Sequence, residues 1–353
     1  MPRPHLRLFL ACCCLLVLAT RGAGLDTPPP GAFTVVVIPD TQGYRGRGAK
    51  ATPDSADPVT NPVFRNHTRW IRESLSAQNI VFVSHVGDIV DVNHADQWQV
   101  ARECLDVIHG LVPYSLTVGN HDMTAKGDAA LYQRHFPSAR FREFPWYAGS
   151  YTHERMDQRV SADNVNSHQL FSAGGLDFVH LSLECNAPDD VLAWAEKVLT
   201  RYRDRHALIT THMDLGPLEK PVTNDGYFTD PKGRMRWTKI HGARGNSPAQ
   251  LWDKLYSRHA NVRLIFSGDQ SRTVAWRLTS PGREGRPVHA LMSDYTSSGP
   301  LRLYRFLPNL GEIHVITYDT TRREIVTSTR SLPDKISHQF TLTFPVTVPT
   351  SPR

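Results

Sequence analysis

Short β-branched apolar runs alternate with longer amphipathic stretches along the chain, and several runs end abruptly on a polar cluster. Residues 33–38 (FTVVVI) are apolar on both faces, the pattern of a strand buried in a parallel sheet. The spacing then predicts a helix over 63–78, a strand over 80–84, a helix over 95–109 and a strand over 114–118. Such alternation predicts an α/β fold with a parallel sheet. After a loop-rich region, 169–172 and 176–183 read as strands paired across Gly174-Gly175, and 188–202 as an amphipathic helix with proline at its start. A buried strand over 207–211, a helix over 248–259 and a strand over 262–267 follow. Further strands are expected near 287–293, 301–307, 313–318 and 324–329, so the second half is richer in β structure. The segments 45–62 and 213–247 are long, polar and rich in Gly, Pro and Arg, which marks them as loops.

Four of the polar clusters follow apolar strands: Asp40-Thr41-Gln42, Gly87-Asp88, Gly119-Asn120-His121-Asp122 and Thr211-His212. In a parallel sheet these clusters leave from the same edge, outside the carboxyl ends of the strands, where open α/β sheets bind ligands. Carboxylate, amide oxygen and imidazole are the donors that divalent metals select.

Read together, DTQ at 40–42, GDIVD at 87–91, GNHD at 119–122 and TTH at 210–212 resemble the motifs of the calcineurin-like metallophosphoesterases, over about residues 33–330. Any one motif is weak, whereas GNHD after a buried strand, in order with the other three, is specific. The resemblance implies a metallophosphoesterase-type β-sandwich flanked by helices, in α-β-β-α layers. It implies two divalent ions, Mn, Mg, Zn or Fe, with Asp88 bridging them, Asp40 on the first, and Asn120 and His212 on the second. His121 would face the substrate as general acid or as a donor to phosphate, and Asp122 would orient it. The implied reaction is hydrolysis of a phosphate ester, monoester or diester, by a metal-activated water.

Two motifs depart from the family pattern. Gln42 stands where the first motif commonly has histidine, and it can ligate only through a neutral oxygen. The closing Gly-His-x-His motif reads Gly268-Asp269-Gln270-Ser271 here; Asp269 can replace an imidazole as ligand, and Ser271 is a poor one. These replacements make the site harder and shift its preference from zinc or iron toward manganese, magnesium or calcium. The alternative they raise is a phosphoesterase-fold protein that binds without turnover.

Composition adds boundaries. With 40% hydrophobic and 21% charged residues among 353, the chain is an ordinary folded protein. Residues 1–24 carry a basic start and an apolar run from Leu8 to Ala19, the pattern of a cleavable signal peptide, so a secreted or periplasmic protein is expected. A leader over 25–32, the catalytic domain over 33–330 and a tail over 331–353 complete the expected organisation. The signal contains Arg3, Arg7 and Arg21 and no acid, so its loss lowers the formal charge from +6 to +3. That is too small to indicate nucleic acid as a partner, and the mature chain has no transmembrane segment. Cys104 and Cys185 are its two cysteines, open to one bridge or two free thiols. Arg45, Arg47 and Lys50 could form a basic lip beyond Asp40, although a solvated loop is the simpler reading. His241, Gly242, Ala243 and Arg244 are candidates for substrate contact, and Asp91 for support of the Asp88 loop. Oligomeric state is not legible.

Overall fold

The computed structural model describes residues 24–124, 126–153, 160–215, 238–270, 274–296 and 298–347. The expected signal peptide, apart from its last residue, lies outside them, as do Ser271 and most of the 213–247 loop. Fourteen strands are described: β1 Phe33–Ile38, β2 Ile80–His85, β3 Tyr114–Leu116, β4 Tyr147–Ser150, β5 Ser167–Ala173, β6 Leu176–Ser182, β7 His206–Thr210, β8 Val262–Ser267, β9 Val274–Pro281, β10 Pro287–Asp294, β11 Pro300–Leu307, β12 Glu312–Asp319, β13 Glu324–Ile325 and β14 Gln339–Thr343. The helices used below are α1 Pro62–Ser74, α2 Ala95–Asp106, α3 Ala130–His135, α4 Asp189–Arg201, α5 Thr238–His241 and α6 Pro248–Lys254.

Two mixed sheets form. The first runs β13-β12-β11-β1-β2-β3, with β14 added to β12, and the second runs β4-β5-β6-β7-β8-β10-β9. Strands β1, β2 and β3 are mutually parallel, as are β6, β7, β8 and β10. The period of two along β1 builds the layers. Phe33, Val35 and Val37 point into the core between the sheets, against Phe178, Leu208 and Phe266. Val36 and Ile38 point outward, into the core shared with α1 and α2, which includes Phe64, Trp70 and Trp98. The outer face of the second sheet is covered by α4 and α6 through Val191, Leu192, Ala195 and Leu251. The result is the expected α-β-β-α arrangement.

Between the sheets the packing turns polar toward the carboxyl ends of the strands. Ser84 on β2 and Thr210 on β7 share a hydrogen bond of 2.7 Å, His180 Nε2 lies 2.8 Å from the same hydroxyl, and Thr117 and Ser182 share another of 2.7 Å. Burial pushes the His180 imidazole down to about 3, so it is neutral, and hydroxyls at Nε2 and the Gln169 amide oxygen at Nδ1 satisfy it without any charge.

Several elements differ from expectation. The strand expected over 324–329 shrinks to Glu324–Ile325, and the helix expected to reach 259 ends at Lys254 before a 3₁₀ turn, Tyr256–Arg258. The stretch set aside as a tail contributes β14, whose Leu342 is buried against the inter-sheet core. Strand β9 was missed because it is an edge strand with a mostly exposed, weakly alternating sequence (VAWRLTSP). Cys104 and Cys185 are both buried and free. No helix among the described residues is long and apolar enough to cross a membrane.

Candidate metal centre

The convergence expected from the strand ends is present. Asp40 lies two residues past β1, Asp88 three past β2, His212 two past β7 and Asp269 two past β8. Asp40, Asp88 and His212 each offer an atom within 4.8 Å of the others, a buried group that could hold a metal ion. His212 Nε2 lies 3.1 Å from Asp88 Oδ1 and 3.5 Å from Asp269 Oδ1, and its Nδ1 is 2.9 Å from the Val86 carbonyl. An Nδ1–H donated to that carbonyl turns Nε2 toward the carboxylates, the tautomer a metal-binding imidazole needs. Asp269 therefore points into the cluster, and its backbone N–H donates to Asp40 Oδ2 at 3.2 Å.

The local chain is shaped to let these groups approach. Asp88 and Asp269 have φ of 49° and 72°, a left-handed conformation that aspartate tolerates better than most residues. A Cβ on Gly119 would collide with the backbone N and Oδ1 of Asp88, and one on Gly268 with Asp40 Oδ1. Glycine at these two sites is thus a steric requirement of the cluster.

Electrostatics follows from burial. Desolvation, then the charges of Asp294 and Asp88, hold Asp40 well above the usual carboxylate range against the opposing pull of His212. Asp269 is pushed up to about 6 by burial, with His212 opposing. Burial alone would lower His212 and raise Asp88; their mutual attraction wins in both, so His212 is held well above its ordinary value and Asp88 below. Asp40 Oδ1, Asn120 Oδ1 and Asp269 Oδ2 are buried without a hydrogen-bond partner, and His212 Nε2 meets Asp88 off the line of a hydrogen bond. Buried polar atoms are rarely left so. Four orphaned donor atoms of metal-binding type fit one or more divalent cations.

The remaining candidates divide. His121 donates its backbone N–H to Asp88 Oδ1 at 2.9 Å, and its side chain is partly exposed, with Nε2 3.9 Å from Asp88 Oδ2. Asp122 does not orient it. The Asp122 carboxylate accepts the N–H groups of Gly119 at 2.8 Å and Val90 at 3.0 Å, locking the GNHD turn to the Asp88 loop. The His121 ring is held by Asp91, whose carbonyl lies 2.7 Å from Nδ1, with Lys50 Nζ 3.2 Å away. Gln42 presents its amide nitrogen, at 2.5 Å from Asp88 Oδ2, where an oxygen ligand was expected; a carboxylate attracts the donor end of an amide. Arg244 lies exposed in the 3₁₀ turn Gly242–Arg244, with no hydrogen bond or ion pair to the cluster among the described residues. His241 is buried 3.2 Å from Glu184, which removes it from the substrate-contact candidates. Lys50 bonds Asp91 Oδ1 at 2.8 Å while Arg47 pairs with Asp96, so one member of the basic stretch reaches the site.

Near the centre, Asp294 was not selected from the sequence, and Asp91 was selected only as support for the Asp88 loop. Asp294 ends β10 and acts on Asp40; its place after an apolar strand was the available signal. The Asp91 carbonyl is a backbone group and carries no sequence signal.

The pattern of the calcineurin-like phosphoesterases matches residues 33–271, and the chain belongs to that family. The family uses divalent metals, and the two-sheet fold agrees with it. A protein of Bacillus subtilis (strain 168), described as uncharacterized protein YvnB, is 27% identical over 308 residues, covering 83% of this chain and 20% of its own length. Among solved structures, purple acid phosphatase PPD1 from yellow lupin (Lupinus luteus) seeds is similar with a TM-score of 0.52 and 13% identity, over 90% of this chain and 55% of that one. A 5'-nucleotidase precursor from Thermus thermophilus has a TM-score of 0.44 and 11% identity, over 86% of this chain and 56% of that one. The chain thus spans about a fifth of the Bacillus relative and little more than half of either enzyme.

Proposed function

We propose that this protein hydrolyses phosphate esters with divalent metal held by Asp40, Asp88, Asn120, His212 and Asp269. The observation that carries the reading is the buried group of Asp40, Asp88 and His212, with Asp269 3.5 Å from His212, and with buried, unpartnered donor atoms on Asp40, Asn120, His212 and Asp269. Divalent ions there would supply Lewis-acid neutralisation of phosphoryl oxygens and a lowered pKa for an attacking water. His121 stands at the open side of the cluster. With Nδ1 donated to the Asp91 carbonyl, its Nε2 is the atom available to a substrate, and in the imidazolium form it can protonate a departing alkoxide or donate to a phosphoryl oxygen. Lys50, more than half exposed beside that ring, adds positive charge where an anionic ester would arrive.

The inward direction of Asp269 favours a working centre over the silent alternative, because it returns a ligand to the position where the closing motif lacks histidine. The test is hydrolysis of aryl phosphate monoesters and diesters by metal-stripped protein resupplied in turn with Mn²⁺, Mg²⁺, Zn²⁺ and Fe²⁺. Turnover restored by metal and lost in His121→Ala is expected; folded protein without turnover on either ester under any ion would overturn the proposal. The reading of residues 1–24 as an export signal belongs to the same proposal, and a cleaved N-terminus near Leu25 in exported protein is its check.

A further inference from the structure

The group that could hold metal is contributed by both sheets. Asp40 and Asp88 follow β1 and β2 of the first sheet and His212 follows β7 of the second, so the 3.1 Å approach of His212 to Asp88 requires one relative placement of the two. Much of the layer between them is apolar, with Phe33, Phe82, Phe178, Leu208 and Phe266 in it, and apolar packing has no direction of its own. Directional contacts across the layer are supplied by hydroxyls just below the centre. Ser84 on β2 lies 2.7 Å from Thr210 on β7; four residues further along the first chain segment comes Asp88, and two along the second comes His212. A second bridge joins Thr117, three residues before Asn120, to Ser182 at the end of β6, also at 2.7 Å.

His180 gives the first bridge its sense. The Gln169 amide oxygen, 3.0 Å from Nδ1, can only accept, so in the neutral ring Nδ1 carries the proton and Nε2 accepts. The Thr210 hydroxyl at 2.8 Å therefore donates to Nε2, its oxygen accepts from Ser84, and the Ser84 oxygen accepts from Ser115 at 3.1 Å. All these side chains are buried, and the chain of hydrogen bonds runs one way from β3 through β2 and β7 to β6. Bonds aligned in this way strengthen one another, and a slip of one sheet over the other would leave buried hydroxyls unpaired.

We propose that Ser84, Thr210 and His180 are positioning residues for the metal centre: their hydrogen-bond chain fixes the second sheet against the first and so sets where His212 meets Asp88. This rests on the centre holding metal, as proposed above, and assigns part of its affinity to side chains that touch neither metal nor substrate.

The experiment is calorimetric titration of the whole metal-stripped protein with Mn²⁺ and Zn²⁺, each variant first shown to be folded by circular dichroism at the titration temperature. Among molecules already folded, affinity answers to geometry and not to global stability. Thr210→Val keeps the shape of the side chain and removes the hydroxyl; it is expected to weaken metal binding by about ten-fold or more, the usual weight of a group that orients a ligand. Thr210→Ser keeps the hydroxyl and is expected to recover most of that loss. Val191→Ala opens a cavity under α4 on the outer face of the second sheet, and is expected to lower stability while leaving metal affinity unchanged. Should Thr210→Val not fold, Ser84→Ala breaks the same bridge from the other sheet and must show the same loss. Unchanged affinity in the folded bridge variant, or a loss matched by Val191→Ala, would overturn the positioning role and leave the phosphoesterase reading intact. A wild type that binds neither ion would overturn both.

Discussion

The Asp91 carbonyl lies 2.7 Å from His121 Nδ1, a bond that joins the loop after β2 to the loop after β3. Because a carbonyl can only accept, it fixes the proton on Nδ1 and directs Nε2 toward substrate. His121→Gln is expected to lower kcat by about 10²–10⁴, the usual weight of one general acid, with metal content unchanged. Steady-state kinetics beside elemental analysis measure this; equal losses of metal and kcat would mean that His121 acts as a ligand.

Lys50 should behave differently. Its ammonium bonds Asp91 and lies 3.2 Å from His121 at the exposed rim, so Lys50→Ala is expected to raise KM for an anionic ester several-fold with a smaller change in kcat. The increase should shrink in high salt, since charge at an exposed rim is screened. A salt-independent effect would argue for a structural role through Asp91.

Asp122 is a structural residue by its contacts. Asp122→Ala leaves the Gly119 and Val90 amides without acceptors, at about 1–3 kcal/mol for each buried group left unpaired. Chemical denaturation should register that loss in metal-free protein, while the pH profile of any residual activity keeps its shape. A displaced pH profile with unchanged stability would restore the orienting role first expected of Asp122.

The metal-free protein should lose stability as pH rises above about 6.5. Burial pushes Asp122 and Asp269 up to about 6 and Asp214 to about 7, and holds Asp40 high. A carboxyl raised in the folded state binds more protons there than in the unfolded chain, so stability falls as pH rises from about 4 through these values. His212, also raised, contributes stability below its unfolded value near 6.5 and loses it as pH climbs further. Asp88, lowered, opposes this below about pH 4, and histidines that burial holds neutral, His67, His85 and His180 among them at about 3, oppose it below about pH 6.5, where the unfolded chain takes up the protons they refuse. Metal should remove the dependence and release protons on binding, measurable by melting curves with and without Mn²⁺ and by calorimetry in buffers of different ionisation enthalpy. A metal-free melting temperature that rises from about pH 7 to 9, above the range in which the histidines titrate, would contradict the assignment.

Much of the architecture was legible because the parallel strands carry it. A run such as 33–38, apolar on both faces, has few places to go except between two layers. Strands β9 and β13 and the β14 segment were read short or missed because they lie toward sheet edges, where partial exposure blurs the alternation. The cluster was foreseeable from residues that sit immediately after strands. What escaped was of another kind: the Asp91 carbonyl has no side-chain signature, and Asp294, the last residue of β10, acts on Asp40 from a strand far along the chain. Asp122 was misassigned because sequence adjacency to His121 suggested a contact that the turn geometry gives to backbone amides instead.

Strand β1, which delivers Asp40, pairs on one side with β2 and on the other with β11, Phe33 lying opposite Phe306. During synthesis the first strand of the catalytic sheet must therefore wait, half-bonded, until more than 250 further residues have left the ribosome. Domains emerge at about 5–20 residues per second, so that interval lasts on the order of tens of seconds, with the apolar β1 edge uncovered throughout. For a chain carrying the export signal proposed above, such a delay would leave the first sheet incomplete, and the nascent protein threadable, until β11 has arrived.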